Sequence, residues 1–392
     1  MIRAHRIRLN PTPKQEKYFW QCCGVARFTW NWALAEYNNG LARGEKPKVL
    51  ELKKEFNRRR KQDGFAPFVA EVQTHANQYA FQDLQAAISR YFYLKKKGKI
   101  KAPDGWKPRK DGKPFGWPRF KARNKVTPAF GLANNGGMKF DGHNVTISKC
   151  PDGPVNMAEQ LRFDGKIMGG RVSHTGGRWY LAVQVEIADV EKVADLSKTV
   201  GIDMGIKYRA VTSDGVLYDN PKALAANLRK LARLQRSASR MWEMNGKKPT
   251  NNWRKQQAKI AALYARIANV RREHAHEMTT ELVNEYGFIG VEDLNIKGMV
   301  KNRRLAKAVS DAGMYQVRQQ LTYKADAVGG KVVAVDRWFA SSKTCSACGD
   351  KVAELPLSVR SWACPSCGAE HNRDGNAAIN IRNEAVRIAS MS

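Results

Sequence analysis

The chain has 392 residues, 68 Lys+Arg against 36 Asp+Glu, a formal net charge of +32 and a hydrophobic share of 43%. That share is ordinary for packed domains and excludes disorder as the default, and the length suits two or three domains. The charge attracts polyanions, either nucleic acid or an anionic membrane. The start MIRAHRIRLNPTPKQEKYF has no apolar core segment and no run of eighteen apolar residues follows, so a soluble intracellular protein with no membrane partner is expected.

Residues 2–9 read as a short basic strand, which Asn10-Pro11-Thr12-Pro13 ends before a helix over 14–41. Phe19, Trp20, Phe28, Trp30, Trp32 and Leu34 recur there at helical spacing, which favours a core over base-stacking platforms. Arg27, in the same segment, is a candidate phosphate contact or a solvated charge. Further helices are expected over 49–60 and 72–94. In the second of these Leu84, Ala87, Ile88 and Tyr91 form an apolar stripe, with Gln73, His75, Gln78 and Gln82 on or beside the opposite face. Gln78 is a candidate reader of base edges, though glutamine on an exposed helix is commonly just solvated. Residues 95–125, rich in Lys, Gly and Pro, read as a basic linker whose Arg119 and Lys121 are candidate nucleic-acid backbone contacts. Over 129–187 the pattern becomes alternating strands, MKFDG, NVTISK, QLRFDG, KIMGGRVSHTG and RWYLAVQVEI. They predict a small β-barrel or sandwich that the opening strand joins, since a lone short strand cannot bury a face.

From 199 the reading is strand, second strand, an Asp214-Gly215 hairpin turn, and basic helices over 222–244 and 253–286. A strand at 288–292, a helix over 311–328, a strand at 331–335 and a last helix over 375–389 follow. Three carboxylates stand out. Asp203 lies in an apolar strand, Glu292 ends another, and Asp374 sits at the N-terminus of the last helix, where the dipole favours an anion. Each has a bland alternative, a strand-end turn or an N-cap. Taken together, the element order with acids on the first strand, the fourth strand and the last helix is that of an RNase H-like nuclease core. Carboxylates in such a basic chain point to Mg2+, and two ions roughly 3.5–4 Å apart can activate water and stabilise the leaving oxygen of a phosphodiester. Asp203 is expected to bridge both ions, with Glu292 and Asp374 holding one each. Asp293 points to the opposite strand face and is the expected bystander.

Ahead of Asp374 lie two knuckles, Cys345/Cys348 and Cys364/Cys367, each followed by glycine and separated by a stretch that matches zinc-ribbon spacing. Four thiolates around one ion leave no open position, so the expected zinc is structural; two disulfides or a redox pair are the alternative. Cys22, Cys23 and Cys150 read as core or incidental thiols.

GIDMGIK at 201–207, GVEDLNIKGM at 290–299, CSACG and CPSCG, and HNRDGNAAINI at 371–381 resemble the TnpB family, transposon-encoded RNA-guided nucleases of the IS200/IS605 type related to Cas12. NPTPKQ, CGVARFTWNWAL and PRFK at 118–121 extend the resemblance over essentially the whole chain, and Asn372 stands where the family commonly has an acid. The resemblance implies an α+β multidomain protein: a wedge strand at 1–10, a helical recognition domain at 11–115 and a β-barrel wedge domain at 116–195. A RuvC-like, RNase H-like nuclease domain at 196–340 and 371–392 would carry a zinc ribbon inserted at 341–370. It implies a guide RNA from the transposon end, target double-stranded DNA beside a short target-adjacent motif, and a monomeric ribonucleoprotein in the cytoplasm. A transposase using the same acids, or a non-cleaving RNA-guided DNA-binding regulator, are the other readings.

Overall fold

In the computed structural model, which describes residues 1–391 except 63, 103–104, 108, 110, 124, 135, 190–192 and 357, the chain divides into two units, Met1–Asp189 and Val190–Ser392. The first opens with strand β1 (Ile2–Asn10) and helix α1 (Pro13–Ala42). Thr12 and Gln15 set the start of α1 as a capping box, each side chain bonding the other's backbone N–H. Helices α2 (Val49–Gln62) and α3 (His75–Lys96) follow. Gln73 differs from its expected place on an exposed helix face. It is buried ahead of α3, where its amide donates to Gly131 O at 3.0 Å and its Oε1 accepts from His75 N at 2.8 Å.

The remaining strands of this unit are β2 (Ala129–Ala133), β3 (Met138–Asp141), β4 (Asn144–Ile147), β5 (Val155–Met157), β6 (Lys166–Thr175) and β7 (Arg178–Glu186). They form a seven-stranded sheet in the order β2-β6-β7-β1-β5-β4-β3. Laid flat, its edge strands would lie about 29 Å apart. The segment 134–137 that joins them reaches at most about 18 Å, so the sheet curls into a near-barrel. The opening strand joins it, paired with β7 along its length. QLRFDG is not a strand: Arg162 N donates to the ring of His5 instead of entering a ladder. Phe19, Leu34, Phe56 and Leu84 of the helices share one core with Phe130, Val172 and Leu181 of the sheet.

The second unit contains β8 (Thr199–Asp203), β9 (Tyr208–Thr212), β10 (Leu217–Asp219), α4 (Ala223–Met244), α5 (Asn251–Glu285) and β11 (Phe288–Glu292). Short helices α6 (Ile296–Met299) and α7 (Ala306–Ala312) lead to α8 (Met314–Val328) and β12 (Lys331–Val335). A hairpin of β13 (Ser361–Ala363) and β14 (Glu370–Asn372) then runs into α9 (Arg373–Ser390). The five-stranded sheet has the order β10-β9-β8-β11-β12; β8, β11 and β12 are parallel, and β9 and β10 run as an antiparallel hairpin. The single helix expected over 311–328 is two, because Gly313 adopts φ 69° and closes α7 by donating to Val309 O. Asp311, buried in α7, accepts from Leu224 N, Ala225 N and Arg271 Nε, and so supplies the cap that Lys222 does not give α4. Among the described residues no helix is long and apolar enough to cross a membrane.

Candidate active site

Parallel pairing of β8 with β11 sets Gly201 beside Gly290 and Ile202 beside Val291. Continued by one residue, this register brings Asp203 and Glu292 side by side at the carboxyl ends of adjacent strands, where open α/β sheets bind ligands. Strand residues two apart share a face, so both glycines look the same way as both acids. On that face lies α9. A Cβ on Gly201 would come within 2.0 Å of Ala378 O and 2.4 Å of Arg382 N, and one on Gly290 within 2.8 Å of the Ala385 Cβ. The two glycines thus let the helix backbone rest on the sheet, and Asp374, about 6 Å up the helix from Ala378, comes within electrostatic reach of Asp203.

The electrostatics reflect that crowding. Loss of water, then Glu292, then Asp374 push the carboxyl of Asp203 up to about 7, against the opposing pull of Arg373 and Arg360. Glu292 Oε1 accepts from Ser341 Oγ at 2.5 Å, and Asp374 Oδ1 meets Arg360 Nη1 at 3.4 Å. The bland explanation of Asp374 as a cap is already taken: Asn372 is the N-cap, accepting from Asp374 N and Gly375 N at 3.1 Å. Asp293 turns to the other face, where Arg318 and then Arg337 hydrogen-bond its carboxylate and hold it below the usual range.

The four ribbon cysteines have Sγ atoms within 4.8 Å of one another, and all four are free thiols. Cys345 to Cys367 and Cys348 to Cys364 each measure 3.7 Å. This is far beyond a disulfide bond of about 2.05 Å and matches the edge of about 3.8 Å of a tetrahedron with Zn–S bonds near 2.3 Å. Gly349 and Gly368 take φ of 82° and 75° and turn their N–H groups back to Cys345 O and Cys364 O. The donor set therefore fits zinc. Among the described residues only these cysteines gather so tightly.

Side chains that the sequence reading did not single out connect the two centres. Asn376 Oδ1 accepts from Ser346 N, and its amide donates to Thr344 O at 2.7 Å. Asn380 donates to Ser341 O at 2.8 Å and Thr344 O at 2.6 Å. Ser341 thus ties Glu292 through its hydroxyl and α9 through its carbonyl. The signal available was the pair of buried asparagines four apart in GNAAINI, polar positions on a core-facing helix face.

In the first unit, Arg27 and Lys121 line one cavity of about 410 Å3 between α1, α3 and the segment entering β2; Gln78 and Arg119 are not among the described residues lining it. Lys17, Arg123 and Arg171 line it too. The spacing of Lys17, Trp20, Gln21, Gly24 and Arg27 on α1 was a readable stripe for this cavity. The Lys121 ammonium sits 3.8 Å over the Trp30 ring and is lowered by loss of water. Arg119 is exposed, its carbonyl accepting from Trp30 Nε1.

Three family profiles match parts of the chain: "Probable transposase" over residues 182–303, "Cas12f1-like, TNB domain" over 315–381 and "Helix-turn-helix domain" over 1–46. Residues 1–46 form one strand and one unbroken helix here. A Streptomyces pristinaespiralis protein named "Putative RNA-guided DNA endonuclease" is 31% identical over 97% of this chain and 88% of its own length. The Escherichia coli (strain K12) protein of the same name, InsQ, is 29% identical over 97% of this chain and 91% of its own. A Sulfoacidibacillus thermotolerans "CRISPR-associated endodeoxyribonuclease Cas12f1" is 29% identical over 52% of this chain and 50% of its own length.

Proposed function

The chain belongs to the TnpB family, and from that membership we propose that it is an RNA-guided DNA endonuclease that hydrolyses target double-stranded DNA at Asp203, Glu292 and Asp374. The observation that carries the reading is the carboxyl of Asp203, raised to about 7 by burial and by the other two acids. Three carboxylates collected on one face of a sheet in a chain of +32 are a charge arrangement that calls for a cation. Strand order, the parallel β8-β11-β12 core and α9 crossing it support an RNase H-like, RuvC-type nuclease domain, with the cysteine hairpin as a zinc ribbon.

Magnesium, which prefers carboxylate oxygens, would supply Lewis-acid chemistry to a phosphodiester. Asp203, whose carboxyl both other acids push up, would hold magnesium together with Glu292 and Asp374, two ions being the expected number. Ser341 orients Glu292 by its hydrogen bond, and Arg360 partly offsets the charge of Asp374. Guide pairing would choose the sequence, and the protein would read a short target-adjacent motif and the hybrid's shape. The basic cavity holding Arg27 and Lys121 is the candidate nucleic-acid contact of the first unit. Gln78 and Arg119 remain candidates outside it, Gln78 for the motif and Arg119 for the backbone.

Asp203→Ala, Glu292→Ala and Asp374→Ala should each lower plasmid cleavage by at least about a thousandfold while guide-dependent DNA binding stays near wild type, because affinity rests on phosphate contacts elsewhere. Cleavage at wild-type rate in any of the three overturns the site. The profile named for a transposase keeps strand transfer as the second reading. Joined rather than free DNA ends among the products would favour it.

A further inference from the structure

Besides the four cysteines, a histidine reaches the ribbon's donor set. His371 Nε2 stands 3.0 Å from Cys345 Sγ. It does not belong to the group whose ligand atoms all lie within 4.8 Å of one another, so it meets one corner of that group from outside. Four thiolates already close a zinc tetrahedron, which leaves the imidazole no ligand position to fill. A zinc-bound Cys345 is a thiolate and can only accept a hydrogen bond, so Nε2 has to carry the proton and donate it.

The ring is held in place for this contact. His371 lies in β14 opposite Trp362 of β13, and the two rings sit 4.9 Å apart at 43°. A cross-strand ring pair could serve as packing alone, but packing does not call for a ring nitrogen against a metal-binding sulfur. What the bond would hold is the approach to Asp374. Asn372, the next residue, caps α9 by accepting from Asp374 N and Gly375 N at 3.1 Å, and its backbone pairs with Ser361. From the Cys345 sulfur to the N–H of Asp374 the path is thus one hydrogen bond, one residue step and one cap. It is separate from the contacts of Asn376 and Asn380, which reach backbone atoms around the first knuckle.

We propose that His371 is a positioning residue: it donates Nε2–H to the Cys345 thiolate from outside the zinc ligand set, and so fixes the strand and N-cap that present Asp374. The link to Asp374 rests on the nuclease reading above; the hydrogen bond itself does not.

The test uses the full chain with zinc bound, and with cobalt in its place. Nitrogen-15 labelling of histidine reads the unaltered ring: His371, assigned by the signals that His371→Gln removes, should be the Nε2-protonated tautomer. His371→Phe keeps a ring against Trp362 without a donor, and His371→Gln keeps an amide donor without the ring. In competition with a chelator, His371→Phe should bind zinc about 10–100-fold more weakly, the usual cost of losing a hydrogen bond to a metal ligand. Its thiolate-to-cobalt charge-transfer absorption should move to lower energy. His371→Gln should stay close to wild type in both. With guide loaded and zinc occupancy shown complete by elemental analysis, His371→Phe should cut about tenfold more slowly in a single turnover with duplex binding unchanged, and His371→Gln should cut near the wild-type rate. An Nδ1-protonated tautomer, or wild-type zinc affinity and absorption in His371→Phe, overturns the hydrogen bond. Equal losses in the two variants would make ring packing the cause and overturn it as well. Weakened zinc binding with a wild-type cutting rate at full occupancy overturns the hold on Asp374. If the parent chain cuts nothing, or the carboxylate variants cut, the nuclease reading fails instead, while the tautomer and the zinc affinity still decide the bond.

Discussion

Asp203 holds a negative charge that the folded chain surrounds with two more, and this has a measurable sign. Its folded value of about 7 lies above the unperturbed 3.8, so between those values the native state keeps a proton that the unfolded state has lost. Metal-free stability should therefore fall as pH rises from about 4 to about 7 and stay low above it. Asp203→Asn removes the charge and should raise the stability of the metal-free protein at pH 8 on the order of 2 kcal/mol, while abolishing cleavage. Thermal melts in a chelator at pH 5 and pH 8 would check this, and a variant less stable than wild type at pH 8 would refute it. At this scale the acids were legible, because an aspartate in an apolar strand stands out against its neighbours. Ser341 and Arg360 were not: each meets its carboxylate across a fold, and neither SSKT nor SVRSW marks a partner 49 or 14 residues away.

At the scale of elements, α9 is the piece on which the site depends, and it is fixed from both sides. Gly201 and Gly290 give it a flat bed, and Asn376 and Asn380 bind it to the chain entering the first knuckle. Zinc loss should therefore reach Asp374 through the helix. Cys345→Ser or Cys364→Ser should lower melting temperature and cleavage together, since a structural zinc contributes folding free energy. Asn380→Ala, which leaves zinc content intact, should still cost about 1–3 kcal/mol by stranding buried carbonyls. Elemental analysis beside melts and cleavage separates the two routes; active wild-type protein without zinc would exclude the first. The knuckles and most strands were readable because spacing and alternation are local. QLRFDG misled because it alternates like a strand, yet its partner is a histidine ring. Gly313 split a helix whose apolar pattern runs straight through it.

For the whole molecule the governing quantity is the net charge of +32, which composition alone makes plain but which does not say what neutralises it. A chain of this charge, free of RNA, should bind any duplex through counterion release. With 6–10 phosphate contacts, affinity should drop about 10^3–10^5-fold between 50 and 200 mM salt. A bound guide brings one negative charge per nucleotide and covers much of that surface, so the loaded complex should lose most of its sequence-blind affinity. What remains should come from base pairing, which depends far less on salt. Fluorescence anisotropy with one labelled duplex, across a salt series, compares the free chain with complexes carrying a matching or a scrambled guide. The expected order is a steep salt slope for the free chain, weak binding with the scrambled guide, and tight, flatter binding with the matching one. Changing the guide should then move the cut to the newly matched sequence. Equal affinity and equal slope with both guides would mean that the protein chooses DNA by its own surface, and RNA guidance would have to be abandoned.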